Sequence, residues 1–375
     1  MTRTPDDLAL EARVDAGPAT YRFATADGLC STDSFRPSEL ALLDALWDEE
    51  LGHLCCLEAN YGVVPTVLAA QADAVHATET SARAVRLCER NSRANDADAA
   101  VSLCADLTTP NTTFDTIAYA PKPYTPISLG KQRIADALTT LRPGGQCVVA
   151  GSTDTGLTRY ETCLQDIAAQ VETVTTNGGA RVLRATRPTT LDTPAYVSPT
   201  ERRATVDGTD LTLVTMPGLF SAGGLDDGTR LLLKTVTVED GERVLDLCCG
   251  YGAVGAYAGA VADCSLWLSD DDALATTCAR RTLRASNAEG TVVTGDCLAR
   301  VRDQRFDRVL CNPPTHAGDG VLTDLFAGIE AVLAPDGDCF LVHHRDLDLR
   351  PHLHQFGTVE RRRTGAEHVV LRVAP

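Results

Sequence analysis

An apolar run, Val309-Leu310-Cys311, ends in Asn312-Pro313-Pro314, followed by Thr315 and His316. Prolines bring no N–H donor and restrict the chain, so the Asn312 side-chain oxygen and the Pro313 carbonyl stay aimed as acceptors. Two such acceptors suit an exocyclic amine of a base or an amide nitrogen, a poor nucleophile because its lone pair is delocalised. Accepting its N–H groups turns the lone pair toward an electrophile and favours the charge that develops in attack. Taken alone, Asn-Pro-Pro is equally a turn signal. Its meaning depends on what accompanies it.

Other polar groups fall where strands should end. Asp246 lies in "RVLDLC" and is followed by Gly250-Tyr251-Gly252 and Gly255, a turn that lets backbone approach a ligand before a helix begins. Asp270 ends "SLWLSD", 270 − 246 = 24 residues on, where a carboxylate can accept two ribose hydroxyls. Asp296 ends "TVVTGD", placed to meet an adenine edge. Each aspartate alone reads as a helix cap or a solvated loop residue. Together with the glycine turn they favour a nucleoside ligand. The Gly-x-Gly-x-x-Gly spacing also permits NAD, but a dehydrogenase has no use for Asn-Pro-Pro. The layout resembles the class I S-adenosylmethionine-dependent methyltransferases, and the resemblance implies S-adenosyl-L-methionine as cofactor.

The elements that must position these groups occur twice. "LEANYGVVPTVLAA" from Leu57 matches "LCCGYGAVGAYAGA" from Leu247, an offset of 252 − 62 = 190 at the second glycine. "DGLCS" ending at Ser31 matches "PGLFS" ending at Ser221, "RNSRAN" matches "RTLRAS", and "LRPGG" matches "LAPDG". "FDTIAYAPKP" matches "FDRVLCNPPT" at an offset of 306 − 114 = 192. Strand-like runs alternate with helical stretches in each copy, which predicts an α/β fold: tandem duplicated class I methyltransferase-like domains, each a Rossmann-like, doubly wound sheet. The expected domains are 1–190 and 191–375, with Thr- and Pro-rich Ala185 to Val206 as the linker. The first copy carries Cys56 for Asp246, Asn60 for Gly250, Pro65 for Gly255 and Ala120 for Asn312. It is expected to be degenerate and to serve stability or substrate binding, with catalysis in the second copy.

"PGLFS…GLDDGTRLLL" and "NPPTHAG" together resemble the two-domain, RsmC-like ribosomal RNA guanine-N2 methyltransferases over nearly the whole chain. That resemblance implies a methyl donor held by Gly250, Gly252, Asp270 and Asp296, with Asp246, Gly255 and Asn312 in the same pocket. It places Asn312, Pro313, Pro314 and His316 at the target amine, and Phe220, Asp227, Gly228 and Thr315 around the substrate. The family's usual aromatic after Asn-Pro-Pro is Thr315 here, so His316 or Phe220 must supply any stacking on the base. Amide methylation of a protein glutamine, as in release-factor methylases, adenine-N6 methylation, and a non-catalytic RNA or ribosome binder are the alternatives.

Composition narrows the setting. The 375 residues carry a net charge of −17 with three lysines, Lys122, Lys131 and Lys234, so nearly all positive charge is arginine. Such a surface fits a halophilic protein, since salt near 1 M shortens the Debye length to about 3 Å; a coding bias toward Arg, Ala and Asp is the plainer account. Ribosomal RNA or a ribosomal subunit would have to be held by local arginines. No run reaches the roughly 20 apolar residues of a membrane span and no opening basic–apolar segment is present, so a cytoplasmic protein is expected. The fourteen cysteines include no Cys-x-x-Cys. The pairs Cys55-Cys56 and Cys248-Cys249 are expected inside strands, as buried thiols. Four histidines between His343 and His354 are expected on a surface loop and helix, with no metal bound.

Overall fold

The computed structural model describes residues 7–11, 20–106, 112–177 and 179–375. Contacts divide the chain into two compact units that meet at Ser198/Pro199. The first contains β1 (Asp7–Glu11), β2 (Thr20–Ala24), α1 (Pro37–Leu46), β3 (His53–Leu57), α2 (Val63–Val67), β4 (Ala74–Glu79) and α3 (Ala82–Ala94). It continues with β5 (Ala99–Leu103), β6 (Phe114–Tyr119), α4 (Ile127–Thr140), β7 (Leu141–Gly151), α5 (Leu157–Ile167), β8 (Gln170–Asn177) and β9 (Ala180–Thr186). The second opens with a hairpin, β10 (Thr200–Val206) and β11 (Thr209–Thr215), then α6 (Asp227–Leu233), β12 (Arg243–Leu247), α7 (Ala253–Val261), β13 (Ser265–Asp270) and α8 (Ala273–Ala285). There follow β14 (Thr291–Thr294), β15 (Phe306–Cys311), α9 (Asp319–Val332), β16 (Leu333–His344), α10 (Arg350–Leu353), β17 (Thr358–Thr364) and β18 (His368–Ala374).

Both units build a seven-stranded sheet of one design. The orders are β5-β4-β3-β6-β7-β9-β8 and β14-β13-β12-β15-β16-β18-β17. The first five strands of each are parallel, and the sixth, β9 or β18, runs antiparallel to both of its neighbours. Chain order reverses between β12 and β15, which opens a crevice beyond their carboxyl ends where such sheets take ligands. The inner strands are apolar on both faces because helices cover both; Val244, Leu245, Val309, Leu310 and Cys311 have no measurable exposure.

The repeated residues have repeated jobs. In the two "FD" pairs, Asp115 Oδ2 accepts the His53 N–H at 2.7 Å and Asp307 Oδ2 accepts the Arg243 N–H at 2.8 Å. Each carboxylate pins the start of the neighbouring central strand. Left-handed backbone recurs at Ser31 and Ser221, Glu58 and Cys248, Asn60 and Gly250, Gly62 and Gly252. The first copy has thus kept the turn while changing its side chains; asparagine tolerates this conformation better than most residues.

Two expectations need correction. Ala185 and Thr186 close β9, and Thr200–Val206 is β10, so only the stretch between them is irregular. That stretch is anchored, since Gln132 Oε1 accepts the Tyr196 N–H at 2.8 Å and Tyr196 packs against the first unit's core. The contact division therefore falls after the strap rather than at 190/191. Cys55 and Cys56 lie in β3, but Cys248 and Cys249 follow β12, Cys248 with a φ of 58°. A residue there cannot continue a strand.

Candidate active site

The second unit's crevice is assembled from three strand ends. Asp246 in β12 is buried, and its Oδ2 accepts the Gly255 N–H at 2.8 Å, tying the strand to the first turn of α7. Burial drives its carboxyl up to about 7 against that hydrogen bond, with Asp270 adding to the rise. Asp270, at the end of β13, accepts the Gly250 N–H at 2.8 Å through Oδ2 and the Asp272 N–H at 2.9 Å through Oδ1. Burial raises it to about 6, and those backbone donors oppose the rise. The Gly295 N–H bonds the Asp270 carbonyl at 2.9 Å, which brings Asp296 beside it.

The glycines divide the work. A Cβ on Gly255 would come within 2.7 Å of Leu268, and one on Gly252 within 3.1 Å of the Ala279 backbone, so both serve close helix–strand packing. Gly250 has open space where its Cβ would be and a φ of 53°. It leaves space at the crevice floor beside the fixed Asp270 carboxylate.

Asn312 follows β15, and its Nδ2 donates to Thr229 Oγ1 at 3.0 Å. Thr229 lies in the first turn of α6, whose cap is Asp226, the Asp226 Oδ1 accepting the Thr229 N–H at 3.0 Å. With Nδ2 engaged, the side-chain oxygen is the remaining hydrogen-bonding group of the amide. The Pro313 carbonyl accepts the Thr315 N–H at 2.9 Å and the Pro314 carbonyl the Ala317 N–H at 2.9 Å. A carbonyl has two lone pairs, so Pro313 retains one for a ligand.

The structure thus brings Asp246, Gly250, Gly252, Gly255, Asp270, Asp296, Asn312 and Pro313 to one end of the sheet. It treats the others differently. Gly228 is buried against His368, with only 2.9 Å between a Cβ placed there and the ring. Asp227, Pro314 and His316 are exposed, Thr315 is half-buried, and Phe220 is 66 % exposed in the loop before α6. The group that orients Asn312 is Thr229. Sequence reasoning does not single out Thr229, because a hydroxyl 83 positions away marks no contact in a string. Its only signal is its place within the "GLDDGTR" segment. His343 lies within β16, buried and bonded to the His344 carbonyl at 2.8 Å, while His352 and His354 flank the end of α10.

The same place in the first unit is filled by its own cations. Glu79 ends β4, as Asp270 ends β13, and keeps the turn contact: its Oε1 accepts the Asn60 N–H at 2.7 Å. The Lys122 ammonium sits 2.6 Å from that carboxylate. Lys122 aligns with Pro314. Burial alone would lower the ammonium's pKa, but Glu79 outweighs it and leaves the group above its usual range. Arg36 Nη1 donates to the Ala120 carbonyl at 2.9 Å and the Pro121 carbonyl at 3.3 Å. Those are the backbone carbonyls at the positions aligned with Asn312 and Pro313, so a guanidinium covers the first unit's counterpart of the Asn-Pro-Pro turn.

A sequence model for the methyltransferase small domain matches residues 20–184 and again 210–372. The chain belongs to the methyltransferase small domain family. Both copies of that family's domain are covered, the filled first unit included. Curated relatives include proteins named ribosomal RNA small subunit methyltransferase C: from Citrobacter koseri, 42 % identical over 119 residues, and from Actinobacillus pleuropneumoniae, 39 % identical over 128. These alignments cover 32 % and 33 % of this methyltransferase small domain protein and 34 % and 38 % of the relatives. The chain thus spans little over a third of the length of the curated relatives it matches. A solved structure described as the T. thermophilus 16S rRNA N2 G1207 methyltransferase with AdoMet and guanosine matches at a TM-score of 0.78 and 24 % identity, covering 98 % of each chain. That likeness establishes the tandem fold.

Replacing Thr229 by Val keeps the shape and removes the acceptor. The Asn312 amide is then free to turn, and turnover should fall about tenfold with acceptor KM little changed, as the loss of one hydrogen bond of about 1.4 kcal/mol predicts. Thr229→Ser should retain activity. Steady-state kinetics of the three proteins check this.

Proposed function

We propose that the chain transfers a methyl group from S-adenosyl-L-methionine to the exocyclic N2 amine of a guanine in ribosomal RNA. The second unit performs the chemistry; the first contributes stability and a surface for the RNA or ribosomal subunit. The observation that carries this reading is Asn312 held by Thr229 at the sheet's switch point, beside an open Gly250 backbone and a fixed Asp270 carboxylate. The curated relatives' printed name and the guanosine in the solved structure's title support the RNA base as acceptor.

The donor supplies a methyl group on a cationic sulfonium. Gly250 would present backbone to it, Asp270 would accept ribose hydroxyls and Asp296 would meet the adenine, while Asp246, Gly252 and Gly255 hold the turn in place. The Asn312 oxygen and the free lone pair of Pro313 accept the two amine N–H groups, and Pro314 keeps the loop stiff. Phe220, exposed in the loop preceding α6, is the stacking surface for the base, with Asp227, Thr315 and His316 at the rim. Extruding a base costs a few kcal/mol, and an aromatic contact returns about 1–3.

No helix among the described residues is long and apolar enough to cross a membrane. The acidic, lysine-poor composition supports a setting of concentrated salt.

Methyl-labelled S-adenosylmethionine, offered in high salt with unmodified ribosomal subunits, naked ribosomal RNA and a protein extract, tests the assignment. Label should appear in RNA and digest to N2-methylguanosine. Label in N6-methyladenosine or in protein glutamine would replace guanine by those acceptors, and cofactor binding without transfer would leave an RNA-binding module.

A further inference from the structure

The edge strand β17 carries Glu360-Arg361-Arg362-Arg363, all exposed. In a chain of net charge −17 this is a local excess of positive charge. Glu360 faces Arg372 of β18 at 3.6 Å and Arg362 at 3.3 Å. Arg363 donates to the Lys234 carbonyl beyond α6, and Arg361 has no hydrogen-bond or ion-pair partner among the described residues. Register shifts between Arg361 and Arg363, so Arg362 is an extra residue and the strict alternation of faces is broken there.

The strand's position follows from the ladders. Arg361 is level with Leu371, Leu371 with Leu341, and Leu341 with Cys311, the residue before Asn312. Three strand spacings of about 4.8 Å put the arginines roughly 14 Å from the candidate amine site, at the same end of the sheet. Charged edges also serve to block edge-to-edge association. The first unit meets that need differently: its equivalent edge, β8, reads Gln-Val-Glu-Thr-Val-Thr-Thr-Asn, with no arginine. Only the unit with the open crevice has a basic edge.

We propose that Arg361, Arg362 and Arg363 form a phosphate-binding edge that holds the RNA strand flanking the target base. The proposal rests on the RNA methylation reading and supplies the local positive charge that an acidic protein needs to keep such a substrate. The test is the double variant Arg361→Gln/Arg362→Gln, which spares the Arg363–Lys234 contact. Binding of a single-stranded oligoribonucleotide is measured from low to high salt, and transfer to unmodified ribosomal RNA under steady state. Two lost phosphate contacts should reduce the slope of log K against log salt by about 1.4, and KM for RNA should rise about tenfold with kcat and cofactor affinity unchanged. A wild-type protein that methylates RNA beside a variant with the same slope and KM would overturn the proposal. Self-association of the variant with unaltered RNA binding would also overturn it, leaving the arginines as edge protection. Failure of the wild type to methylate RNA would instead count against the parent reading, and the salt slope would still report on the edge.

Discussion

Asn312→Ala should lower turnover by about 10²–10³-fold while cofactor affinity stays unchanged. The side chain lies past the end of β15, where its amide nitrogen is engaged by Thr229 and its oxygen is left over. Alanine removes an acceptor that acts most strongly as the amine becomes positive, so the loss belongs in kcat. The cofactor's expected contacts, at Gly250 and Asp270, are made by other strands and do not pass through Asn312. Isothermal titration with S-adenosylmethionine beside single-turnover transfer separates the two. Loss of both would mean that Asn312 shapes the pocket rather than the reaction, and loss of neither would place the chemistry elsewhere.

Lys122→Met should destabilise the first unit by about 3–5 kcal/mol at neutral pH. Lys122 and Glu79 are almost fully buried and 2.6 Å apart. Methionine fills similar space but leaves the carboxylate without its cation. The Asn60 and Thr80 N–H groups still bond Glu79, at 2.7 and 2.9 Å, and limit the cost. Adding Glu79→Gln to Lys122→Met should recover most of the loss, since a neutral pair avoids the uncompensated charge. Chemical denaturation of the three proteins, followed in the transition assigned to the first unit, decides it. Equal stability of single and double variants would show that the ion pair does not hold the vestigial site.

How the copies diverged also shows what a string of residues can reveal. The periodic alternation of apolar strands and helices, repeated at an offset of 190 to 192, is enough to announce two doubly wound sheets, because burial on both faces forces near-continuous apolar runs. Strand ends carrying Asp246, Asp270 and Asn312 are legible for the same reason: polar residues stop those runs. The antiparallel pair β17–β18 and the β10–β11 hairpin escape that reading. One strand of each pair, β10 and β17, is mostly polar and exposed, and pairing with a partner does not register in a local pattern.

Within the site, the residue types were set by sequence alone: an amide oxygen before two prolines, a glycine turn and carboxylates at strand ends, with Asp246, Gly250, Gly255 and Asn312 replaced in the first copy. Only the tertiary structure decided what those groups touch. It gave Asn312 its orientation through Thr229, assigned Gly252, Gly255 and Gly228 to packing and left Gly250 open, and closed the first copy with Lys122 and Arg36. The physical reason is common to all of these. A hydrogen bond or an ion pair depends on distances of about 3 Å between atoms, and the partners here lie 19 to 85 positions apart in the chain. Only folding sets which of those partners meet.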